Sequence, residues 1–266
     1  MGKLNTAIGQ RIISAAIFND VVSLLVLGII LDFNSDTKNL RELVISTMIS
    51  FLRVSAFIFI LYIAYKLFKL AKAEVKEVSP KVHQFLLYLQ GKESLFAIVI
   101  VFVLFFSSIA EFLGMHFVVG AFFGAILFPR SMLTKKEFNS VKKTTSGITM
   151  GFLAPIFFAY IGIACNIMSL NNILLFSLVM LFSIFSKIFG GYIGGKMAGF
   201  SGLHSLTMGL GMNARGLVEL VIATIAMQRG FIDIPFFTIL VLMALLTTLL
   251  TPIFLKRAFN KIERVE

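Results

Sequence analysis

A carboxylate, Asp20, lies in the middle of an apolar stretch from Ile12 to Leu31, directly after the side-chain amide of Asn19. A charge inside hydrocarbon is energetically costly, so ionisable residues there usually face protein or water and serve ion or proton pathways. Such a carboxylate holds either a proton or a metal cation, and the two compete for it. We predict that Asp20, with Asn19 beside it, binds protons and a monovalent cation. A purely structural role, satisfied by a neighbouring helix, is the alternative.

Two basic residues lie in similarly apolar surroundings farther along the chain. Lys187 is near the middle of its stretch, where a lysine side chain does not easily reach the membrane surface. It therefore needs a carboxylate partner or carries a transported proton. The glycines that follow it suit close helix packing; they are Gly190, Gly191, Gly194 and Gly195.

The second basic residue, Arg215, belongs to the unusual segment 208–219. Three glycines there flank Asn213 and Arg215 at mid-membrane depth. Glycine is a poor helix former, and broken helices place half-helix ends and free carbonyl groups beside a substrate. The pattern predicts a discontinuous helix. Arg215 and Glu219 are also four residues apart on a helix, and a simple pairing between them is the alternative.

The composition indicates an all-α polytopic membrane protein. Hydrophobic residues make up 58% of the 266 residues and charged residues only 14%, whereas a soluble domain has about a quarter charged residues. Apolar runs near the roughly 20 residues needed to cross a bilayer recur throughout. We predict eight spans, the fourth of them short, and a kink of the fifth at Pro155 that neighbouring helices must accommodate. The spans are 6–32, 41–70, 94–112, 115–129, 145–168, 171–198, 203–228 and 234–256.

The net charge of +11 comes mainly from basic residues in short loops between apolar runs. That distribution follows the positive-inside rule and argues against nucleic-acid binding. It predicts a multi-pass protein of the cell membrane, in contact with lipid, with both termini in the cytoplasm. Residues 71–90 are the longest polar stretch, and we predict a cytoplasmic connector that is either an interfacial helix or solvated.

Several stretches, in this order, resemble the monovalent cation:proton antiporter-2 family, which exchanges sodium or potassium ions for protons. They are Leu4–Asp20, Ala110–Ala125, Phe152–Gly162, Ser186–Gly191, Gly211–Ala223 and Val241–Pro252. The resemblance implies that Asp20 is the ion- and proton-binding carboxylate. It also implies that Lys187 pairs with the residue before this aspartate, and that Arg215 lies in the family's broken helix.

The expected fold is an inverted-repeat transport core packed on a dimerisation domain. Residues 6–32 would be the last helix of the first repeat and 171–256 the second repeat, within one transmembrane domain, 1–266. The full-length form is expected to be a homodimer without cofactor. Family members have further helices before the first span of this chain, so the chain alone is expected to hold an incomplete site.

One departure from the family concerns the charge that is moved. Many members that generate a membrane potential have two adjacent aspartates, whereas this chain has Asn19 before Asp20. Lys187 then lacks its usual carboxylate partner, and one titratable group is missing. We therefore predict electroneutral exchange, with one proton for each monovalent cation.

Secondary transport is accordingly the leading function, with Lys187, Arg215, Glu219 and Asn213 supporting Asp20. A truncated or split membrane subunit without transport, and a potassium efflux pathway, are the alternatives. We do not predict an enzyme, because the sequence has neither a nucleophile–base arrangement nor a phosphate-binding glycine loop. The three histidines are scattered near predicted membrane surfaces rather than clustered; they are His83, His116 and His204.

Overall fold

The computed structural model describes residues 6–30, 40–88, 92–128, 133, 135–170, 172–262 and 264. These residues form α-helices with short connections and no strands. The helices are α1 (Ala7–Ile30), α2 (Leu40–Tyr88), α3 (Lys92–Phe112), α4 (Phe117–Leu127), α5 (Lys135–Ile148), α6 (Ala154–Ala164), α7 (Ile173–Met197), α8 (Gly202–Gly211), α9 (Leu217–Gln228) and α10 (Ile234–Ile262). The predicted all-α membrane fold is confirmed.

Six helical segments are long and apolar enough to cross a membrane; they are Ile8–Ile30, Thr47–Leu70, Leu95–Phe112, Lys135–Ala164, Ile173–Met197 and Ile234–Ile262. The other two of the eight predicted spans are built from shorter helices. The predicted span 115–129 contains α4, which has only 11 residues. The predicted span 203–228 is divided between α8 and α9. The predicted discontinuity of this helix is therefore confirmed.

A kink was predicted at Pro155, and the structure has a π-helical turn just before this proline; the kink itself stays a prediction. A π-helical turn, Thr149–Leu153, joins α5 to α6. Proline has no N–H to donate, and its ring crowds the carbonyl group four residues earlier, which here belongs to Gly151. The wider π turn occupies the stretch where this crowding arises, and the helical backbone is continuous from Lys135 to Ala164.

The predicted connector, 71–90, continues the helix of the second span up to Tyr88. The side chains of residues 71–88 and the whole of residues 89–90 lie outside the part of the chain that the structure describes. The choice between an interfacial helix and a solvated connector, and the surroundings of His83, therefore stay predictions.

The helices divide into two compact units, one of Leu25–Phe158 and one of Met1–Leu24 with Ala159–Glu266. The first unit packs around the buried residues Val54, Phe57, Ala110, Met115 and Val119. Helices α3 and α4 approach closely there, because a Cβ atom at Gly120 would lie 2.3 Å from the carbonyl oxygen of Phe106. The turn between them has Gly114 at a φ of 82°, and the Arg53 guanidinium lies against this glycine.

The second unit contains α1 up to Leu24 and helices α7 to α10. Helices α7 and α8 meet through small residues, since Gly191 faces Gly209 and Gly195 faces Ser205. Gly190 and Gly194 have open space where a Cβ atom would be. The predicted packing role therefore belongs to two of the four glycines. The buried face of α10 includes Phe237 and Thr238, both fully buried, and this unit holds all the polar residues of the candidate site.

Candidate ion-binding site

Four structural elements bring the predicted site residues together. Helix α1 carries Asn19 and Asp20, and α7 carries Lys187. The break between α8 and α9 carries Asn213 and Arg215, and Glu219 lies in the first turn of α9. A carboxylate in the first turn of a helix is favourably placed, because the free N–H groups there give this end a partial positive charge.

The break comprises residues 212–216, between Gly211 and Leu217. Its first residues still form hydrogen bonds to α8, from Met212 N to Met208 O at 3.0 Å and from Asn213 N to Leu210 O at 3.2 Å. The end of α8 lies against α1, because a Cβ atom at Gly211 would be 2.7 Å from Cδ1 of Ile12. A larger residue at 211 would separate α1 from the break, and Asn19 and Asp20 lie two turns farther along α1.

Asn19 links a cation to an anion. The Nζ of Lys187 donates a hydrogen bond of 2.7 Å to the side-chain oxygen of Asn19. The side chain of Asn19 also interacts with the carboxylate of Asp20, the next residue of the chain. Lysine can only donate, which fixes the amide orientation. The amide oxygen faces Lys187, and the amide N–H groups are the part of this side chain that can donate to a carboxylate.

Glu219 contacts two cations, one through each carboxylate oxygen. Oε1 is 3.6 Å from Nζ of Lys187, and Oε2 accepts a hydrogen bond of 2.9 Å from Nη1 of Arg215. The side chain of Arg215 is 9% exposed, while those of Lys187 and Glu219 are 20% and 21% exposed. The sequence left two interpretations of this segment, a discontinuous helix or a simple pair between Arg215 and Glu219. The structure contains both the helix break and the pair.

Arg215 is anchored by two residues that the sequence did not indicate. Its Nη2 donates to the carbonyl oxygen of Ser183 at 3.2 Å and also to the Ser183 hydroxyl. The backbone oxygen of Arg215 accepts a hydrogen bond of 3.0 Å from the Thr248 hydroxyl of α10. The available signal was spacing, because Ser183 lies one helical turn before Lys187 and therefore shares its face of α7.

Asn213 is the buried polar residue of the break, with 4% of its surface exposed. Its side-chain oxygen accepts no hydrogen bond within the described part of the chain. Buried polar groups nearly always have a partner. This amide oxygen is therefore available to a water molecule or a cation, whereas Arg215 and Glu219 on the same segment are paired with each other.

A groove of about 530 Å³ opens beside this cluster of charges. Its polar lining consists of Ser183, Ser186, Lys187 and Arg215. The rest of the lining is apolar and comes from α7 and α10, namely Leu178, Val179, Phe182, Leu240 and Met243. Lys187 and Arg215 therefore lie at the edge of an open groove whose wall is mainly apolar.

The charges of the cluster balance when Asp20 is ionised. Lys187 and Arg215 carry one positive charge each, and Asp20 and Glu219 carry one negative charge each. Lys187 and Glu219 are both close enough to interact electrostatically with Asp20. One proton or one monovalent cation at Asp20 changes the total charge of the cluster by the same amount.

Two histidines lie outside this cluster. His116 caps α4 by accepting a hydrogen bond from Val118 N, and His204 is hydrogen-bonded to Ser201 at 2.6 Å.

Comparison with known proteins identifies the family. The family model described as "Sodium/hydrogen exchanger, transmembrane" matches residues 1–261. A Na(+)/H(+) antiporter of Enterococcus hirae is 29% identical over 97% of this chain and 63% of its own length. The Na(+)/H(+)-K(+) antiporter GerN of Bacillus cereus is 27% identical over 98% of this chain and 62% of its own.

The plant protein Cation/H(+) antiporter 17 of Arabidopsis thaliana is 26% identical over 93% of this chain and 29% of its own length. The chain thus spans less than two thirds of the length of these curated relatives. The match to the family model covers the helices described above, from α1 to α10, except for the last residue of α10, Ile262. The resemblance seen in the sequence is confirmed, and the chain belongs to the sodium/hydrogen exchanger family of transmembrane proteins.

Proposed function

We propose that this chain is part of a secondary active transporter that exchanges sodium or potassium ions for protons, with Asp20 as the exchange site. The names of the relatives support this function, since they are antiporters of Na(+), K(+) and H(+). The single observation that carries the proposal is the pairing around Asn19. Lys187 is hydrogen-bonded to the amide of Asn19 and does not form a direct salt bridge to Asp20. The Asp20 carboxylate can therefore bind another cation or a proton.

The charge count supports an exchange that moves no net charge. Because Lys187 and Arg215 are already matched by Glu219 and Asp20, each loaded form of the site carries one positive charge. A site that alternates between a bound proton and a bound monovalent cation then carries the same charge in both directions. We infer one proton for each cation.

The location, orientation and oligomeric state of the transporter are proposed from the sequence. The transporter lies in the cell membrane with both termini of this chain in the cytoplasm, because the basic loops belong on that side. The complete protein is a homodimer in contact with membrane lipid. The side-chain oxygen of Asn213, which is buried without a partner, offers the exchanged cation a further oxygen from the helix break.

Proton movement in proteoliposomes tests this function. The complete protein is reconstituted with a pH-sensitive dye inside the vesicles, and sodium or potassium is added outside. We expect cation-driven alkalinisation of the vesicle interior that disappears in Asp20→Asn and is partly retained in Asp20→Glu. Exchange that persists in Asp20→Asn would contradict the assignment. A wild-type protein without exchange would favour a membrane subunit that does not transport.

A potassium diffusion potential set with valinomycin tests the stoichiometry in the same vesicles. The initial rate of sodium-driven exchange is expected to be the same at zero and at about 100 mV, because no net charge crosses. At that potential a single uncompensated charge would experience about 2.3 kcal/mol. A rate that rises or falls with the potential would contradict one-for-one exchange.

A further inference from the structure

We propose that Arg11 is a positioning residue for cation binding, which holds α1 against α8 and so fixes the separation between Asp20 and Asn213. This role rests on the proposed function, in which those two residues supply oxygens to the exchanged cation. Asp20 lies on α1, nine residues after Arg11, and Asn213 lies in the break that follows α8. The contacts that join α1 to α8 therefore also set the distance between the two oxygens.

The way in which α7 ends determines the position of Phe200, the partner of Arg11. Gly199 has a φ of 82°, a left-handed conformation that favours glycine. Phe200 N then donates a hydrogen bond of 3.1 Å back to Gly195 O, as in a common type of helix C-terminus. The next residue, Ser201, already caps α8. Phe200 is therefore placed at the start of α8 by the backbone itself.

The guanidinium of Arg11 lies over the ring of Phe200, with its central carbon 4.4 Å from the ring centroid. This is the geometry of a cation–π interaction. The same ring is stacked with His204 in the first turn of α8, at 6.4 Å between centroids and 15° between planes. Arg11 forms no ion pair with a carboxylate within the described part of the chain. Its recorded contact is therefore with an aromatic ring that belongs to the start of α8.

Neighbouring residues of α1 reach the two ends of α8. Arg11 contacts Phe200, just before the N-terminal cap of this helix. Ile12 packs against Gly211, its last residue, where a Cβ atom would be 2.7 Å from Cδ1 of the isoleucine. The 10 residues of α8 separate these contacts by about 15 Å. Two contacts this far apart prevent α1 from tilting relative to α8, whereas the contact at Gly211 alone would allow rotation about one point.

The effect of this arrangement on cation binding has a sign that separates it from other roles of Arg11. Tilting of α1 would move Asp20 away from Asn213, so loss of the Arg11 contact should weaken cation binding. Loss of a positive charge near the site would by itself attract cations and strengthen binding. Loss of fold stability alone would reduce the amount of active protein and leave the KM for sodium unchanged. The KM therefore distinguishes the three roles.

Sodium-driven exchange by the complete protein in proteoliposomes measures this KM. We expect Arg11→Gln and Phe200→Leu each to raise it by about threefold to tenfold, as the energy of a cation–π contact allows, with little change in kcat. Arg11→Lys and Phe200→Tyr keep a cation and a ring, and should stay within about twofold of the wild type. The double variant Arg11→Gln/Phe200→Leu should be no worse than either single one, because both remove the same contact.

Arg257→Gln, which removes an exposed arginine near the end of α10, is the matched control and should leave the KM unchanged. An unchanged or lowered KM in Arg11→Gln overturns the role of Arg11, and so does an additive loss in the double variant. If Arg11→Gln does not fold, Phe200→Leu decides, because it keeps the charge at position 11. Its sodium-dependent thermal stabilisation in detergent reports binding without transport, and a wild-type response there overturns the role as well. A wild-type protein without exchange, or exchange retained in Asp20→Asn, instead overturns the proposed function.

Discussion

Asn19 and Lys187 are 168 positions apart in the chain and share a hydrogen bond of 2.7 Å. The bond joins α1 to α7, so it can form only when these two helices are packed together in the folded unit. Its chemical effect is to put a neutral amide between an ammonium and a carboxylate. Lys187 is thereby held by the amide rather than by a direct salt bridge to Asp20.

Asn19→Ala is expected to reduce exchange by about tenfold to a hundredfold, because a hydrogen bond to a charged group contributes about 1.5–3 kcal/mol. Lys187 would lose its amide acceptor, and Asp20 would lose the neighbouring amide. The rate of cation-driven proton movement measures this loss. Asn260→Ala, at an exposed position near the end of α10, serves as the control. Equal rates for the two variants would contradict the role of Asn19.

Arg215→Lys keeps the positive charge but loses the planar fork that holds Glu219 and Ser183 together. We expect lower thermal stability in detergent, by about 1–3 kcal/mol of unfolding free energy, since charged hydrogen-bond groups would be left unpaired. We also expect at least a tenfold loss of exchange. Arg229→Lys, on the exposed C-terminal cap of α9, is the matched control. A stable, active Arg215→Lys protein would mean that charge alone is sufficient.

Gly191→Ala and Gly190→Ala change neighbouring residues, but position 191 is packed against another helix and position 190 is not. A Cβ atom at 191 would lie 2.5 Å from the Cα of Gly209, whereas one at 190 meets nothing within 4 Å. Overpacking costs about 1–3 kcal/mol, so Gly191→Ala should lower the midpoint of thermal unfolding by several degrees. Gly190→Ala should leave it unchanged or raise it, because alanine favours helix more than glycine. Similar midpoints for both would contradict the contact between α7 and α8.

Thr238→Val removes the hydroxyl that accepts a hydrogen bond of 3.1 Å from Asn166 N, after α6. A hydrogen bond of this kind contributes about 0.5–1.5 kcal/mol, and we expect a corresponding loss of stability. Thr251→Val is the comparison, since its hydroxyl donates only to the Thr247 carbonyl of its own helix. Its loss should be clearly smaller. Unfolding of the purified protein in a denaturing detergent titration measures both.

The sequence predicted the parts of this fold that depend on composition along one helix. Long apolar runs predicted the six helices that can cross a membrane, and glycine with polar residues predicted the break after Gly211. Contacts between different helices could not be predicted from the sequence in the same way. Ser183 and Thr248 have ordinary polar side chains, and their bonds to Arg215 depend on where three helices cross. The same holds for Gly191 and Gly190, which are identical in sequence and face different surroundings.

The break at residues 212–216 has a consequence for how this region enters a bilayer. Helices α8 and α9 have 10 and 12 residues, so at about 1.5 Å per residue each is about half the 30 Å thickness of the hydrocarbon core. Neither is long enough to cross the core by itself, and the non-helical backbone between them is too costly to face lipid. We infer that this pair is inserted late in biogenesis, once α7 and α10 are present to shield it.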